Sequence, residues 1–395
     1  MRLLKHTLLC ASMMFSAAAA AAPVVVPNAP AVAAEAYVLM DYNTGKVLVE
    51  SNMHLQRAPA SLTKIMTSYV LGQELKSGRV SLDDEITVSV NAWAQNRKLK
   101  GSSLMWLKEG DTVTLDKLYQ GMVVASGNDA TVAISEHIAG SVDGFAHLMN
   151  TWAAELKMND SIFENPHGLD ANNQQSSAYD MAILTQALIR DLPEYYALHS
   201  QKSFTYNNIT TDNRNGLLWD RSINVDGVKT GYTNDAGYSL VSSATRDDMR
   251  LIAVVMGVKG RNGNEGANNR QAESKKLLNY GFRFFETVTP YKAGDTFVTQ
   301  PIWYGDKPEV KLGVLADTPI TLYRGQAANM QAEFELNDEL QAPLSRGAQV
   351  GTLYFRLDGQ DIASYPLMVL EDVQEGSWFS KLMDYFKLLF KSIFG

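Results

Sequence analysis

Apolar and polar positions change their spacing twice along this chain, and each texture predicts a different kind of element. Near the start, Tyr37-Val38-Leu39-Met40-Asp41 and Lys46-Val47-Leu48-Val49 flank Asn43-Thr44-Gly45, which predicts two strands joined by a tight turn. Apolar residues three and four apart then predict helices over 61–75, 115–125, 130–138, 144–156 and 177–190. The last opens with Ser177-Ala178-Tyr179-Asp180, a serine cap with an acid three residues on. Strand-like runs return at 223–229, 237–244 and 251–258, and a helix over 268–285 follows them. Strand, helices and strands in that order predict an α+β domain over 36–287, an antiparallel sheet with helices on its faces. After Pro290 the runs at 310–315, 320–323, 331–336, 350–357 and 367–370 are short and β-prone, predicting a small all-β domain over 288–375. It carries no cluster of acid, base or nucleophile, so it reads as a spacer or stabilising module.

The two ends break from this pattern. Met1-Arg2-Leu3-Leu4-Lys5, an apolar run to Phe15 and an alanine tract to Ala22 have the layout of a secretory signal over 1–22. The apolar stretch is well short of the roughly 20 residues that a spanning helix needs. Residues 23–35, rich in proline, alanine and valine, read as an extended leader. At the other end, over 376–395, Trp378, Phe379, Leu382, Met383, Phe386, Leu389, Phe390, Ile393 and Phe394 alternate with Lys381, Asp384, Lys387 and Lys391. The charges gather on one helical face, which suits a helix lying in the plane of an anionic bilayer surface. The alternative is a terminal helix docked on the body.

Composition narrows the chemistry. A net charge of -8 over 395 residues, with basic residues scattered except at the ends, argues against a nucleic-acid partner. Cys10 is the one cysteine and lies inside the signal segment, so the mature chain has no thiol nucleophile, disulfide or thiolate metal site. None of the six histidines stands at metal-like spacing with acids, and no metal or other cofactor is expected.

Three short motifs carry candidate chemistry. In Ser61-Leu62-Thr63-Lys64 a serine and a lysine three apart at a helix start point the same way, so the amine can take the hydroxyl proton. Alone, the pair is a weak signal and reads as a capping serine beside a solvated lysine. Ser126-Gly127-Asn128 joins two predicted helices; its serine can relay a proton and its amide can hold a lysine or a carbonyl, but by itself it is a turn. Lys229-Thr230-Gly231 lies on a predicted strand, offering a cation, a hydroxyl donor for a carboxylate and a glycine that lets a substrate backbone approach.

Taken together and in this order, Ser-x-x-Lys, Ser-x-Asn and Lys-Thr-Gly resemble the signature of the penicillin-recognising serine acyltransferases. The blocks 60–64, 101–105, 126–130, Pro166-His167-Gly168-Leu169-Asp170, Asn213-Arg214-Asn215-Gly216-Leu217-Leu218-Trp219 and 225–231 resemble those of the low-molecular-weight class C penicillin-binding proteins, which are D-alanyl-D-alanine carboxypeptidases. The resemblance covers nearly the whole mature chain. It implies a β-lactamase/transpeptidase-like domain, a small β-sandwich and a membrane-surface helix, in a protein on the outer face of the cytoplasmic membrane.

The resemblance also implies roles. Ser61 attacks the carbonyl between two terminal D-alanines of a peptidoglycan stem peptide with Lys64 as base. Ser126 and Lys229 help pass the proton to the departing D-alanine, Asn128 holds a lysine and the substrate carbonyl, and the amides of Ser61 and Tyr232 form the oxyanion hole. β-Lactam antibiotics acylate Ser61 in the same pocket. Arg214, Thr230 and Arg270 are candidates for the substrate carboxylate, and His167 reads as shaping the site from its Asn-Pro-Gly loop. Two features depart from the family: Tyr232 stands where histidine is common, and the Gly- and Asn-rich stretch 259–269 is longer than usual. The rival readings are a secreted β-lactamase, which the absence of a Glu-x-x-x-Asn pattern around Glu164 disfavours, and an idle wall-binding scaffold.

Overall fold

The computed structural model describes residues 28–394; the signal segment over 1–22, with Cys10, lies outside the described residues. The chain divides into two units, one reaching to Phe284 and the other starting at Phe285.

The first unit is organised on one sheet. β1 (Ala36–Asp41) and β2 (Val47–Ser51) form the expected hairpin, with Leu39 opposite Val49. A 3-10 turn over Ala60–Leu62 leads into α1 (Thr63–Lys76). The short pair β3 (Glu85–Thr87) and β4 (Thr112–Thr114) precedes α2 (Leu115–Val123), α3 (Asn128–Ala139), α4 (Val142–Glu155), α5 (Ala178–Asp191) and α6 (Pro193–Tyr196). Side-chain oxygens of Thr114, Ser141 and Ser177 cap α2, α4 and α5 by accepting first-turn backbone N–H groups. A second short pair, β5 (Ser203–Tyr206) and β6 (Ile209–Asp212), leads to β7 (Asn224–Thr233), β8 (Gly237–Arg246), β9 (Met249–Val258) and α7 (Gly263–Phe284). The sheet order is β2-β1-β9-β8-β7, antiparallel throughout, which leaves β7 on an edge.

Alternation along the strands gives the sheet two buried faces. Val38, Met40, Val241, Ile252 and Val254 join Ile65, Met66, Tyr69 and Val70 of α1 and Met181, Leu184 and Leu188 of α5 in one core. Leu39 and Leu251 lie on the other face, against Gly281 of α7. Helix α1 is buried almost all round, because Leu71 and Leu75 on its far side enter a second core with Leu118, Met122 and Ile134. A helix buried on every side can hold polar groups at its start away from water, and that is where Ser61 and Lys64 sit.

Two differences from the sequence reading have local causes. Helix α7 starts at Gly263, not 268: Asn262 Oδ1 accepts the Glu265 N–H while Glu265 Oε2 accepts the Arg261 N–H, a reciprocal cap hidden in the Gly- and Asn-rich stretch. The pairs β3–β4 and β5–β6, of three and four residues per strand, are too short to show a period.

The second unit begins three residues before the expected 288. β10 (Phe285–Val288) is its first strand, followed by β11 (Thr296–Pro301), β12 (Glu309–Gly313), β13 (Ile320–Tyr323), β14 (Gln331–Leu336), β15 (Gln349–Leu357) and β16 (Gln360–Val369). β10 pairs with β13, which ties residues 285–287 to this unit, and the other five form a sheet in the order β11-β12-β16-β15-β14. Ile320 and Leu322 of the two-stranded ribbon pack with Leu353 and Phe355 of the sheet. Helix α8 (Trp378–Phe394) ends the unit.

Candidate active site

Ser61 stands in the 3-10 turn before α1, one turn ahead of Lys64, so both project from the same side of the helix start. The turn rests against β7: a Cβ added to Gly231 would come within 3.1 Å of Pro59 O and 3.3 Å of the Ala60 Cβ. The glycine of Lys-Thr-Gly thus lets the nucleophile turn pack on the strand, a reason for it beyond substrate approach.

Lys64 is 1% exposed and makes three contacts. Its Nζ lies 2.6 Å from Asn128 Oδ1, 2.7 Å from the His167 carbonyl and 3.2 Å from Ser61 Oγ. Burial, then the positive charge of Arg214, pushes its pKa down to about 7, with Asp129 opposing. A neutral amine has two N–H groups and one lone pair. The amide oxygen and the carbonyl accept and cannot donate, so they take both hydrogens and leave the lone pair facing the Ser61 hydroxyl. That is the geometry of a general base.

Each partner of Lys64 is held in turn. Asn128 opens α3, and its backbone N–H donates to Ser103 O at 2.8 Å. The loop with His167 is fastened to α1 by Thr67 Oγ1, which donates to Pro166 O at 2.6 Å, and by Gln174. Gln174 Oε1 accepts the N–H groups of Glu164 and Asn165 while its Nε2 donates to Thr63 Oγ1. Gly168 has φ +87°, and a Cβ there would fall 1.8 Å from Ala60 O, so no other residue lets this loop close on the nucleophile turn. What His167 brings to the cleft is its carbonyl. Its imidazole accepts the Leu169 N–H through Nδ1, and burial together with Lys64 pushes its pKa down to about 3, leaving it neutral.

Ser126 sits between α2 and α3 with φ +58°, a left-handed conformation that costs a serine about 1 kcal/mol or more. The sharp reversal places its Oγ 3.0 Å from Lys229 Nζ, which also donates to Thr230 O at 3.3 Å. Lys229 is 4% exposed, and burial, followed by Lys64, Arg214 and Arg270, depresses its pKa strongly. Thr230 is buried beside it on β7. Tyr232 is half exposed at the end of the strand, its ring stacked on Tyr238 at 4.3 Å between centroids. Arg214 Nη1 donates to Ser103 Oγ at 2.8 Å, drawing the residues after β6 to the loop before β4. Arg270, 5% exposed on α7, donates through Nη1 to Gly231 O at 3.2 Å, and its charge is felt at Lys229.

The motifs concealed Asp129. Fully buried, its carboxylate accepts the N–H groups of Met105, Trp106, Leu107 and Ala130 and so fixes the 103–107 loop to α3 beside Asn128. Burial raises its pKa against those four donors. Asn215, also missed, donates from Nδ2 to Gly227 O at 2.9 Å and braces β7 from its free edge. The signal for Asp129 was present as an acid just inside a helix start, but three of its four partners come from 22 to 24 residues away.

A serine hydroxyl facing the free pair of a buried lysine, with a second serine and lysine alongside, defines a serine hydrolase that works through an acyl-enzyme. The D-alanyl-D-alanine carboxypeptidase family profile matches residues 23–260, and that of the penicillin-binding protein 5 C-terminal domain matches 285–375; the chain belongs to the D-alanyl-D-alanine carboxypeptidase family. It is 50% identical to the D-alanyl-D-alanine carboxypeptidase DacA of Escherichia coli (strain K12) over 373 residues, 94% of this chain and 91% of the relative. The DacC enzyme of the same organism is 50% identical over 370 residues, 93% of this chain and 91% of the relative. Among solved structures, penicillin-binding protein 5 of Haemophilus influenzae is similar with a TM-score of 0.83 and 48% identity, covering 89% of this chain and all of that one.

Proposed function

We propose that this protein is a secreted serine D-alanyl-D-alanine carboxypeptidase that trims peptidoglycan stem peptides at the outer face of the cytoplasmic membrane and is acylated by β-lactams. The observation that carries the chemistry is the placing of buried Lys64 Nζ 2.6 and 2.7 Å from two groups that can only accept and 3.2 Å from Ser61 Oγ, so that the neutral amine, its N–H groups taken, has its lone pair left for Ser61. Ser61 Oγ attacks the penultimate D-alanine carbonyl as its proton passes to Lys64. The oxyanion enters the N–H groups of Ser61 and Tyr232. Ser126, bonded to Lys229, delivers its proton to the departing D-alanine nitrogen as the C–N bond breaks and is reprotonated with the proton that Lys64 took from Ser61, which leaves Lys64 neutral again. Water, deprotonated by Lys64, then cleaves the ester and frees Ser61. Arg214 and Arg270 supply positive charge beside Lys64 and Lys229, which suits a substrate ending in a carboxylate.

The membrane assignment rests on the orientation of α8. Asp384 on its charged face accepts the Tyr304 N–H at 3.0 Å, while Trp378, Phe379, Met383 and Phe386 are between 46% and 77% exposed. A helix docked only to cover apolar surface would do the reverse, whereas an aromatic face turned outward suits the interface of an anionic bilayer. No described helix is long and apolar enough to cross a membrane. Entry into the secretory route is assigned to residues 1–22.

The test is release of free D-alanine from diacetyl-Lys-D-Ala-D-Ala by the purified protein, abolished by Ser61→Ala. Rapid penicillin turnover without a lasting adduct would identify a β-lactamase, and neither adduct nor D-alanine would identify a scaffold. Deleting residues 377–395 should free the protein from anionic vesicles with hydrolysis of the small peptide intact; retention would refute the membrane role.

A further inference from the structure

The loop that brings Ser103 to the cleft carries features that the reaction does not use. No acid stands between Glu85 and Glu109, whereas Arg97, Lys98, Lys100 and Lys108 do. All four are exposed, and no hydrogen bond or ion pair ties their charged groups to another described residue. Glu136, which reaches this stretch, is taken by Ser89 Oγ and Asn91 Nδ2. In a chain of net charge -8, the loop is a local excess of positive charge.

Trp106 lies in the same loop with φ +72°, an outlier for so bulky a side chain. Asp129 holds it there by accepting the N–H groups of Met105, Trp106 and Leu107 at 2.8, 2.8 and 3.0 Å. Met105 and Leu107 on either side are buried, while the indole between them is 53% exposed. The fold keeps strained backbone and turns a large ring to solvent, the reverse of what core packing alone produces.

Both features sit at the cleft wall. Ser103 accepts from Arg214 through Oγ and from the Asn128 N–H through its carbonyl, and the Asn128 side chain accepts from Lys64. Lys100 precedes Ser103 by three residues and Trp106 follows it by three, so each backbone lies within about 11 Å of that contact. The basic turn is also braced: Asn96 Oδ1 accepts the Lys98 N–H, and Ser102 Oγ donates to Leu99 O at 2.6 Å.

We propose that the 97–108 loop is a docking surface for polymeric peptidoglycan around the scissile stem, its cations meeting stem carboxylates and its indole packing on a sugar ring. The stem arrives attached to a polymer of sugars and acidic peptides, whose charge complements an acid-free basic loop and whose rings offer C–H faces to an aromatic. An anionic bilayer shares the charge, but the substrate is the partner that must come to this wall. The proposal rests on the carboxypeptidase reading and deepens it, so a binding measurement independent of turnover keeps the two separable.

The experiment compares the full chain with Arg97→Gln/Lys98→Gln/Lys100→Gln and with Trp106→Gly. D-Alanine release is measured from diacetyl-Lys-D-Ala-D-Ala and from pentapeptide-bearing peptidoglycan polymer, alongside sedimentation with that polymer at low and high salt. An exposed ion contact is worth up to about fivefold, so the triple variant should lose about 10-fold in kcat/KM on the polymer at low salt and less than about twofold on the tripeptide. High salt should erase the wild type's advantage, because charges are then screened within about 3 Å at 1 M. Trp106→Gly should lose about 3- to 10-fold on the polymer at either salt, with Tm no more than about 2 °C lower, since glycine accepts the left-handed backbone. Sedimentation should fall in parallel. Equal losses on both substrates would overturn the proposal, as would unchanged polymer rates and sedimentation. Lost binding to anionic vesicles with polymer binding intact would overturn it too and assign the loop to the membrane. A wild type that releases no D-alanine from the tripeptide would sink the carboxypeptidase reading, and sedimentation would still judge the docking surface. Should Trp106→Gly fail to fold, the charge variant, altered only at exposed positions, decides.

Discussion

Both units pair charges near the surface, but the first also keeps buried cations without such partners. From Phe285 onward, charged side chains pair near the surface: Arg356 meets Glu333 and Asp361, Lys307 meets Glu371, and Lys381 meets Glu375. Up to Phe284, Lys64, Lys229 and Arg270 are at most 5% exposed, and none of the three has a carboxylate within ion-pair distance among the described residues. The first arrangement costs little and does little. The second opposes folding and is tolerated because helices and sheet around it supply a large apolar core. The comparison teaches where catalytic capacity resides: in charges that the fold keeps away from both water and counter-ions, with depressed amine pKa values as the result.

That contrast can be broken at the point of closest packing. Gly168→Ala should destabilise the first unit by at least about 2 kcal/mol, since the new Cβ meets Ala60 O and the backbone there is left-handed. Penicillin acylation should fall with it, because Ala60 carries Ser61; thermal unfolding alongside an acylation assay reads both. An unchanged variant would mean that the loop does not press on the nucleophile turn.

A smaller effect sharpens the electrostatic half. Lys64 acts as base in its neutral form, and its pKa is held near 7, so the acylation rate should rise about tenfold per pH unit below pH 7 and level off above it. His167, pushed down to about 3, adds no limb between pH 5 and 8. A flat profile over that range would remove Lys64 from the role. The smallest effect belongs to the other unit: Arg356→Ala should leave D-alanine release unchanged and apparent Tm within about 2 °C, as for exposed ion pairs generally. A large loss there would show that the surface pairs matter more than the comparison allows.

Local rules reach only so far along this chain. The hairpin at its start, the helices with serine caps, the strands after 223 and the two halves of the Ser-x-x-Lys pair were legible because each depends on neighbours within about four residues, where period and capping act. Helix α7 was placed late, since glycines and asparagines hid a cap that depends on hydrogen bonds and not on hydrophobic period. Asp129 and Gln174 went unread because their meaning lies in partners brought from other loops.

The sequence alone determined which residues have the chemistry to be nucleophile, base and proton relay, because side-chain type fixes that wherever the residue stands. Only the tertiary structure decided that they act together: the Lys64–His167 and Ser126–Lys229 bonds each join residues 103 positions apart. It also decided the protonation of Lys64 and that Arg270 reaches a backbone carbonyl. A pKa and a bond direction are set by burial and by what lies opposite, and neither is a property of a residue's neighbours in the chain.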